Sequence, residues 1–445
     1  MTRPSPPSDW PLVPLAVFSL GSFTGIAIAQ SALAAGAVLL FIEAWAKRRW
    51  PAPQAASPVT GLVSVLVFYF SVQILAVFLS RHVARSVACL RGDLPVLFLP
   101  LLILLAMRAR RPIAALWIFL ACGAASGLYG AWQFLFGLDL YRARALEALP
   151  GAGFMAVGNM GGHLTYGGVQ LIATLLGMGL FLHGSKGRAR STAGLLTLAA
   201  GSGLVGSAAR TAWIGAAAGT CLLVSLLDGR KRLAGWAGLA ALAAGALLLP
   251  GVGDRLGLLI RAWDLPRARL WETALRMWAD APLFGGGLGS FKTLFPAYKV
   301  EGLYDSTIHP HNDLLNVAVH SGAAGVLAFG VLWVWILRSL RRRRKGSDTA
   351  RAVASGSLAA AVGFLVAGMG QCYFTDEEPM MALWFAVALG VTAGWDSQRR
   401  AAPMDIPEDP ADAEPMEATA AGRQGKARAA GRGPLSHGDP PAARR

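Results

Sequence analysis

Apolar residues in this chain come in runs of about 20, the length of helix that crosses the hydrocarbon core of a bilayer. Twelve runs can be marked, at about 11–29, 31–46, 60–79, 94–107, 113–136, 163–183, 191–208, 211–227, 232–250, 312–337, 352–373 and 379–396. A membrane β-barrel would instead read as segments of about 10 residues alternating in hydropathy, and that alternation is missing. The expected fold is an all-α polytopic integral membrane protein with about 12 transmembrane helices. Composition agrees: 54% of residues are hydrophobic and 15% charged, with mean hydropathy +0.48. Soluble domains carry about 25% charged residues. A soluble enzyme, a disordered chain and a secreted disulfide scaffold are all excluded. The four cysteines (Cys89, Cys122, Cys221, Cys372) follow no CxxC or Cys/His spacing, which argues against a zinc site.

The formal net charge of +16 is large enough to suggest a polyanionic partner. Its distribution points elsewhere. With the N-terminus placed in the cytoplasm, the loops on that side carry Lys47 to Arg49, Arg108/Arg110/Arg111, Lys186/Arg188/Arg190, Arg230 to Arg232 and Arg341 to Lys345. Five basic loops in succession follow the positive-inside rule, so no nucleic-acid partner is needed. The N-terminal MTRPSPPSDW lacks the form of a cleavable signal, and the first run is expected to be retained. The expected organisation is a membrane domain over 1–396, with a large outside loop at 251–311 containing a surface helix. A disordered cytoplasmic tail is expected over 397–445, which is poor in large apolar residues.

Basic residues on the outside face break the rule and call for a reason. Arg210 sits in SAARTAW, a hairpin between two runs with almost no loop. An Arg at the membrane edge either snorkels to lipid phosphate or holds an anion. Arg267 and Arg269 open RARLWETALRMWADAPLFGGGLGSF, where Trp271, Ala274, Leu275 and Trp278 share one helical face and Pro282 with Gly285 to Gly287 end the helix. That helix is expected to lie on the membrane surface. GGGLGSFKT fails as a phosphate-binding P-loop, because Phe291 precedes Lys292 and no strand precedes the run. His309, His311 and Asn312 meet at the start of the tenth run, where a His suits a general base. Metal ligation is weakly supported, with only Asp305 and Asp313 as nearby carboxylates. His163 opens the sixth run on the same side. His320 reads as a buried neutral residue of the tenth run. Arg81, Arg85 and Arg91 are left to snorkelling, lipid phosphate or donor binding.

Together these stretches resemble the O-antigen ligase family, whose superfamily also holds O-antigen polymerases and protein O-oligosaccharyltransferases. HNDLLNVAVHSGAAG fits the family's His-Asn, nine residues, Gly, two residues, Gly, through His311, Asn312, Gly322 and Gly325. The stretch from Arg267 looks like its Arg-x-x-Leu-Trp helix followed by Pro-Leu-x-Gly-x-Gly-x-Gly-x-Phe. SAARTAW resembles its Ser-x-Arg hairpin through Arg210, and GNMGGHLTYGG is similar to a looser Gly-Asn segment. The likeness covers about 155–335. One departure is His320, where the family often has an acidic residue.

The resemblance implies a metal-independent, inverting glycosyltransferase of the bacterial inner membrane that needs no cofactor, with both termini cytoplasmic and its site periplasmic. The donor would be a glycan on undecaprenyl pyrophosphate and the acceptor a hydroxyl of the lipid A core or of another glycan. Arg210 and Arg267 would hold the pyrophosphate, and His311 would be the base. Asn312, His309, Arg269 and His163 would support them. Polymerisation and protein glycosylation are the alternatives. A transporter or flippase is more remote, since no inverted repeat is evident.

Overall fold

The computed structural model describes residues 8–47, 58–149, 151–248, 252–302, 304 and 307–394. Asp305, Arg48, Arg49 and the expected tail at 397–445 lie outside the described residues. Fifteen α-helices run in chain order: α1 (Leu12–Thr24), α2 (Ile26–Ala46), α3 (Pro58–Phe78), α4 (Val83–Leu90), α5 (Phe98–Arg108), α6 (Pro112–Phe136), α7 (His163–His183), α8 (Arg188–Gly206), α9 (Arg210–Ser225), α10 (Gly229–Leu248), α11 (Val252–Asp280), α12 (Ser290–Tyr298), α13 (Asp313–Arg343), α14 (Asp348–Gly368) and α15 (Glu377–Thr392). Among the described residues each of the twelve apolar runs is helical. Three helices, α4, α11 and α12, lie between them.

Among the described residues seven helical segments are long and apolar enough to cross a membrane, and the chain is a multi-pass helical membrane protein. They include α2, α6, α7, α13 and α14, and one continuous stretch from Val83 to Arg108. Helices α1, α9 and α15 are shorter, at 13, 16 and 16 residues. Twelve is thus the number of apolar runs turned into helix, and seven the number that meet both length and apolarity. One boundary differs from expectation. The first two runs do not part at Gln30 but at Gly25. Gln30 lies inside α2, where its Nε2 donates to Glu377 of α15 at 2.8 Å. The turn is tight because a Cβ at Gly21 would stand 2.4 Å from the Ala29 amide nitrogen.

Helices α7, α14 and α15 are buried over most of their length and form the centre. Small residues let backbones approach there: a Cβ on Gly179 of α7 would lie 2.3 Å from the Cα of Gly356 in α14. Between helices in lipid such close contact substitutes for the hydrophobic effect. Phe385 of α15 stacks on Phe119 of α6 at 4.8 Å and on Phe18 of α1 at 5.5 Å, tying the N-terminal helices to this centre. At the periphery, Val38, Phe41, Ile42 and Trp45 of α2 are exposed, as a lipid-facing surface requires.

A second, smaller core lies in the 251–311 segment. Leu270, Ala274 and Met277 of α11 pack with Phe291 and Phe295 of α12 and Val319 of α13. This corrects the expected apolar face. The inward stripe runs through Leu270, Thr273, Ala274 and Met277, and Leu275 points out. The helix begins at Val252, well before Arg267, and carries Pro266 inside it. Its face is set by packing on α12 and α13, so the tryptophans do not define it.

The segment between α6 and α7 forms two small antiparallel hairpins, β1 (Leu138–Asp139) with β2 (Arg144–Ala145) and β3 (Ala148–Leu149) with β4 (Gly153–Phe154). They prop up the run that leads to His163. Gln133 of α6 accepts from the amides of Val157 and Gly158 at 3.0 and 2.7 Å. Arg142 and Arg144 reach the carbonyls of Asn159 and Gly161, and both pair with the buried Asp139.

Candidate functional site

The site is organised by the turn between α14 and α15, residues 369–374. Four residues of the sequence motifs converge on it. Asn312 Nδ2 donates to the Met369 carbonyl at 3.0 Å. An Nη1 of Arg267 donates to the Gly370 carbonyl. His311 Nδ1 bonds Gln371 Oε1. Asp313 Oδ1 accepts from the Phe374 amide at 3.0 Å. From the other side, the Tyr373 hydroxyl donates to the Leu164 carbonyl of α7 at 3.1 Å.

His311 and Asn312 are placed by the start of α13. Asn312 is its N-cap, accepting from the Leu315 amide at 3.0 Å, so both ends of its side chain are engaged in holding backbone. His311 precedes the cap with φ +50°, a left-handed conformation that His tolerates better than most residues. Its ring meets that of His309 edge to face, with centroids 4.5 Å apart.

The two glycine motifs turn out to be one device. Helix α13 breaks at Gly322, where φ is +63° and ψ −160°. A break strands the amides and carbonyls that the ladder would have paired. The 282–287 loop supplies partners. Gly286 and Gly287 amides donate to Val319 and His320 carbonyls at 2.9 and 3.0 Å, and Ala323 and Ala324 amides donate to Pro282 and Leu283 at 2.8 and 3.1 Å. The contact is backbone to backbone: a Cβ at Gly285 would stand 2.5 Å from the His320 carbonyl carbon, and one at Gly322 2.4 Å from that of Leu283. His320 is half-buried at this junction. Helix α4 and the turn before it dock on the same loop through Ser86 and Ser80, which donate to the Leu288 and Gly286 carbonyls. Arg81, Arg85 and Arg91 flank it as exposed side chains.

A cleft of about 510 Å³ opens here, lined by His163, His309, His311, Gln371, Asp376, Glu377 and Glu378. His163 Nδ1 donates to the Ser207 carbonyl at 2.9 Å, tying the start of α7 to the α8–α9 hairpin. Arg210, the exposed first residue of α9, stands within electrostatic reach of His163. His163, His309 and His311 therefore share one cleft. Arg210 lies beside it and Arg267 beneath it, on the turn that holds His311. Arg269 does not join them. Two positions on, and about 200° round the helix, it donates to the Glu301 carbonyl and lies against Gly302.

The expectation of few carboxylates near the histidines is overturned. Asp376, Glu377 and Glu378 had read as a short connection between two runs, and the turn brings them to the cleft. Among the described residues no three His, Cys, Asp or Glu side chains are grouped as metal ligands would be. Burial pushes the Asp376 carboxyl up from the ordinary carboxylate range; the 2.6 Å bond from the Thr165 hydroxyl opposes this, and the charges of Glu378 and Glu377 add to it. The folded protein thus holds this proton more tightly than the unfolded chain. Its stabilisation is complete below the ordinary carboxylate pKa and is lost as pH rises through the raised one. Thermal stability in detergent is expected to fall across that window, and Asp376→Asn to flatten the slope. Equal slopes in both proteins would refute the assignment.

His311, Gln371, Asp376, Glu377 and Glu378 thus line one polar cleft at the ends of apolar helices, with Arg267 bonded to the turn that carries Gln371. Residues 194–330 match the family model described as O-antigen ligase, so this segment is similar to that family. It includes Arg210, Arg267, the glycine loop and His311. The match supports ligase- or polymerase-type glycan transfer in general. No curated protein matches the chain. Gln371 and the carboxylates of 376–378 lie outside the matched segment, and no spacing in the sequence marks them.

Proposed function

We propose that the protein transfers a glycan from undecaprenyl pyrophosphate to an acceptor hydroxyl at the periplasmic face of the inner membrane, with ligation to the lipid A core as the first reading. What carries the proposal is the meeting of Arg267, His311 and Asn312 on one turn, beside a cleft large enough for sugar rings. In this reaction the acceptor oxygen attacks the anomeric carbon while the bond to the pyrophosphate oxygen breaks. The bonding pair leaves on the pyrophosphate, and the hydroxyl proton passes to His311. Direct displacement inverts the anomeric centre. Arg267 and Arg210 neutralise the charge that grows on the leaving group. Preorganised charge of this kind is often the largest catalytic contribution. No metal is assigned a role. The orientation with both termini cytoplasmic, the membrane domain over 1–396 and the periplasmic 251–311 loop belong to the same proposal.

Two arginines separated by one residue provide an internal control. Arg267→Ala is expected to lower kcat by about 10²–10³-fold, as loss of one charge-stabilising donor does. Arg269→Ala is expected to leave kcat near wild type, because its side chain serves the Glu301–Gly302 backbone. Equal losses in both variants would remove Arg267 from the mechanism. The overall reading is tested with purified protein in detergent, a lipid-linked glycan donor and alternative acceptors. Transfer without a membrane gradient is the expected result, and failure with every acceptor would overturn it. In a deletion strain, loss of all glycan capping supports ligation. Retention of a single capped unit with loss of longer chains would assign polymerisation instead.

A further inference from the structure

The geometry points to Gln371 as the positioning residue for His311, holding the imidazole in one tautomer with Nε2 as its basic nitrogen; the inference rests on the reading of His311 as the base. An amide oxygen can only accept, so the proton of the His311–Gln371 bond lies on the histidine Nδ1. The lone pair is then on Nε2. Both side chains are buried, at 7% and 6% exposure, so water competes little for the bond.

Gln371 is itself held in place. It lies 60 residues from His311 in the chain, on a turn whose neighbouring positions 369, 370 and 374 are bonded by Asn312, Arg267 and Asp313. The three bonds flank Gln371 on both sides and leave its side chain to the imidazole. A neutral partner also suits the role. A carboxylate at this place would favour the imidazolium and remove the base at neutral pH, whereas an amide orients the ring without charging it. The ionisable groups around His311 are His309 against its ring, His163, Cys372, Asp376, Glu377 and Glu378 in the lining of the same cleft, and Arg267 on the turn. All are unchanged in the variants below.

The test is the pH–rate profile of glycan transfer by purified protein with a lipid-linked donor. Gln371→Leu is expected to lower kcat by about 10–100-fold with donor KM unchanged, the usual cost of losing an orienting partner. Gln371→Glu, which preserves shape, is expected to keep its activity at high pH and to move the acidic limb up by about one pH unit or more. His311→Asn is the reference. If it is inactive while Gln371→Leu matches wild type, or the limb of Gln371→Glu stays in place, the positioning role is wrong and the reading of His311 stands. If His311→Asn is fully active, the base assignment fails and takes this inference with it. Should Gln371→Leu not fold, the Glu variant alone decides.

Discussion

Replacing His311 with alanine is expected to cut glycan transfer by about 10²–10⁴-fold while the protein still inserts and stays folded. Of the cleft histidines, His311 is the one bonded to Gln371 on the turn that also holds Arg267, which sets it apart as the expected base. The backbone is the main risk, because residue 311 has φ +50°. Asparagine tolerates that conformation as well as histidine does, so His311→Asn is the cleaner variant. Transfer assayed on purified protein, with helical content and elution volume as fold controls, checks the result. Wild-type turnover in either variant would remove His311 from the reaction.

The second large effect is on stability. Gly322→Ala is expected to lose about 2–4 kcal/mol, from a conformation nearly restricted to glycine together with overpacking. At φ +63° and ψ −160°, an added Cβ meets the Leu283 carbonyl carbon at 2.4 Å. Neither backbone can retreat without breaking the bonds that the 282–287 loop makes to 319–324. Activity should fall with stability, because the same segment sets the helix that begins at Asn312. Gly330, in the same helix with nothing within 4 Å of an added Cβ, supplies the control. There alanine is expected to be neutral or to stabilise by about 0.5–1 kcal/mol. Thermal melts in detergent decide, and equal midpoints for the two variants would show that the interlock carries no weight.

The interlock also explains why two motifs over 30 residues apart read as separate. In isolation PLFGGG reads as the end of a helix, and Gly322 with Gly325 only as part of the His-Asn pattern. Only their pairing makes both necessary: each glycine clears room for the other strand of backbone. The basic cluster tells the opposite story. Arg210 stood out because a charge at the end of an apolar run is costly, and cost is visible in one dimension; Arg267 gained its role only through the resemblance. Arg269 looked equivalent by spacing, and helical geometry turned it away.

The local physics of the chain alone determined that it is helical and crosses a membrane, that each apolar run forms a helix, and which basic residues break the charge rule. Hydrophobic length and misplaced charge are properties of short windows, so they survive without coordinates. The tertiary structure decided which face of α11 is buried, where α1 ends, and that Gln371 and three carboxylates share the cleft with His311. These depend on a turn brought to His311 from 60 residues away in the chain. A glutamine in a short connection has no hydropathy, charge or spacing that marks it. It acquires a role only when four long-range hydrogen bonds fix the turn that carries it.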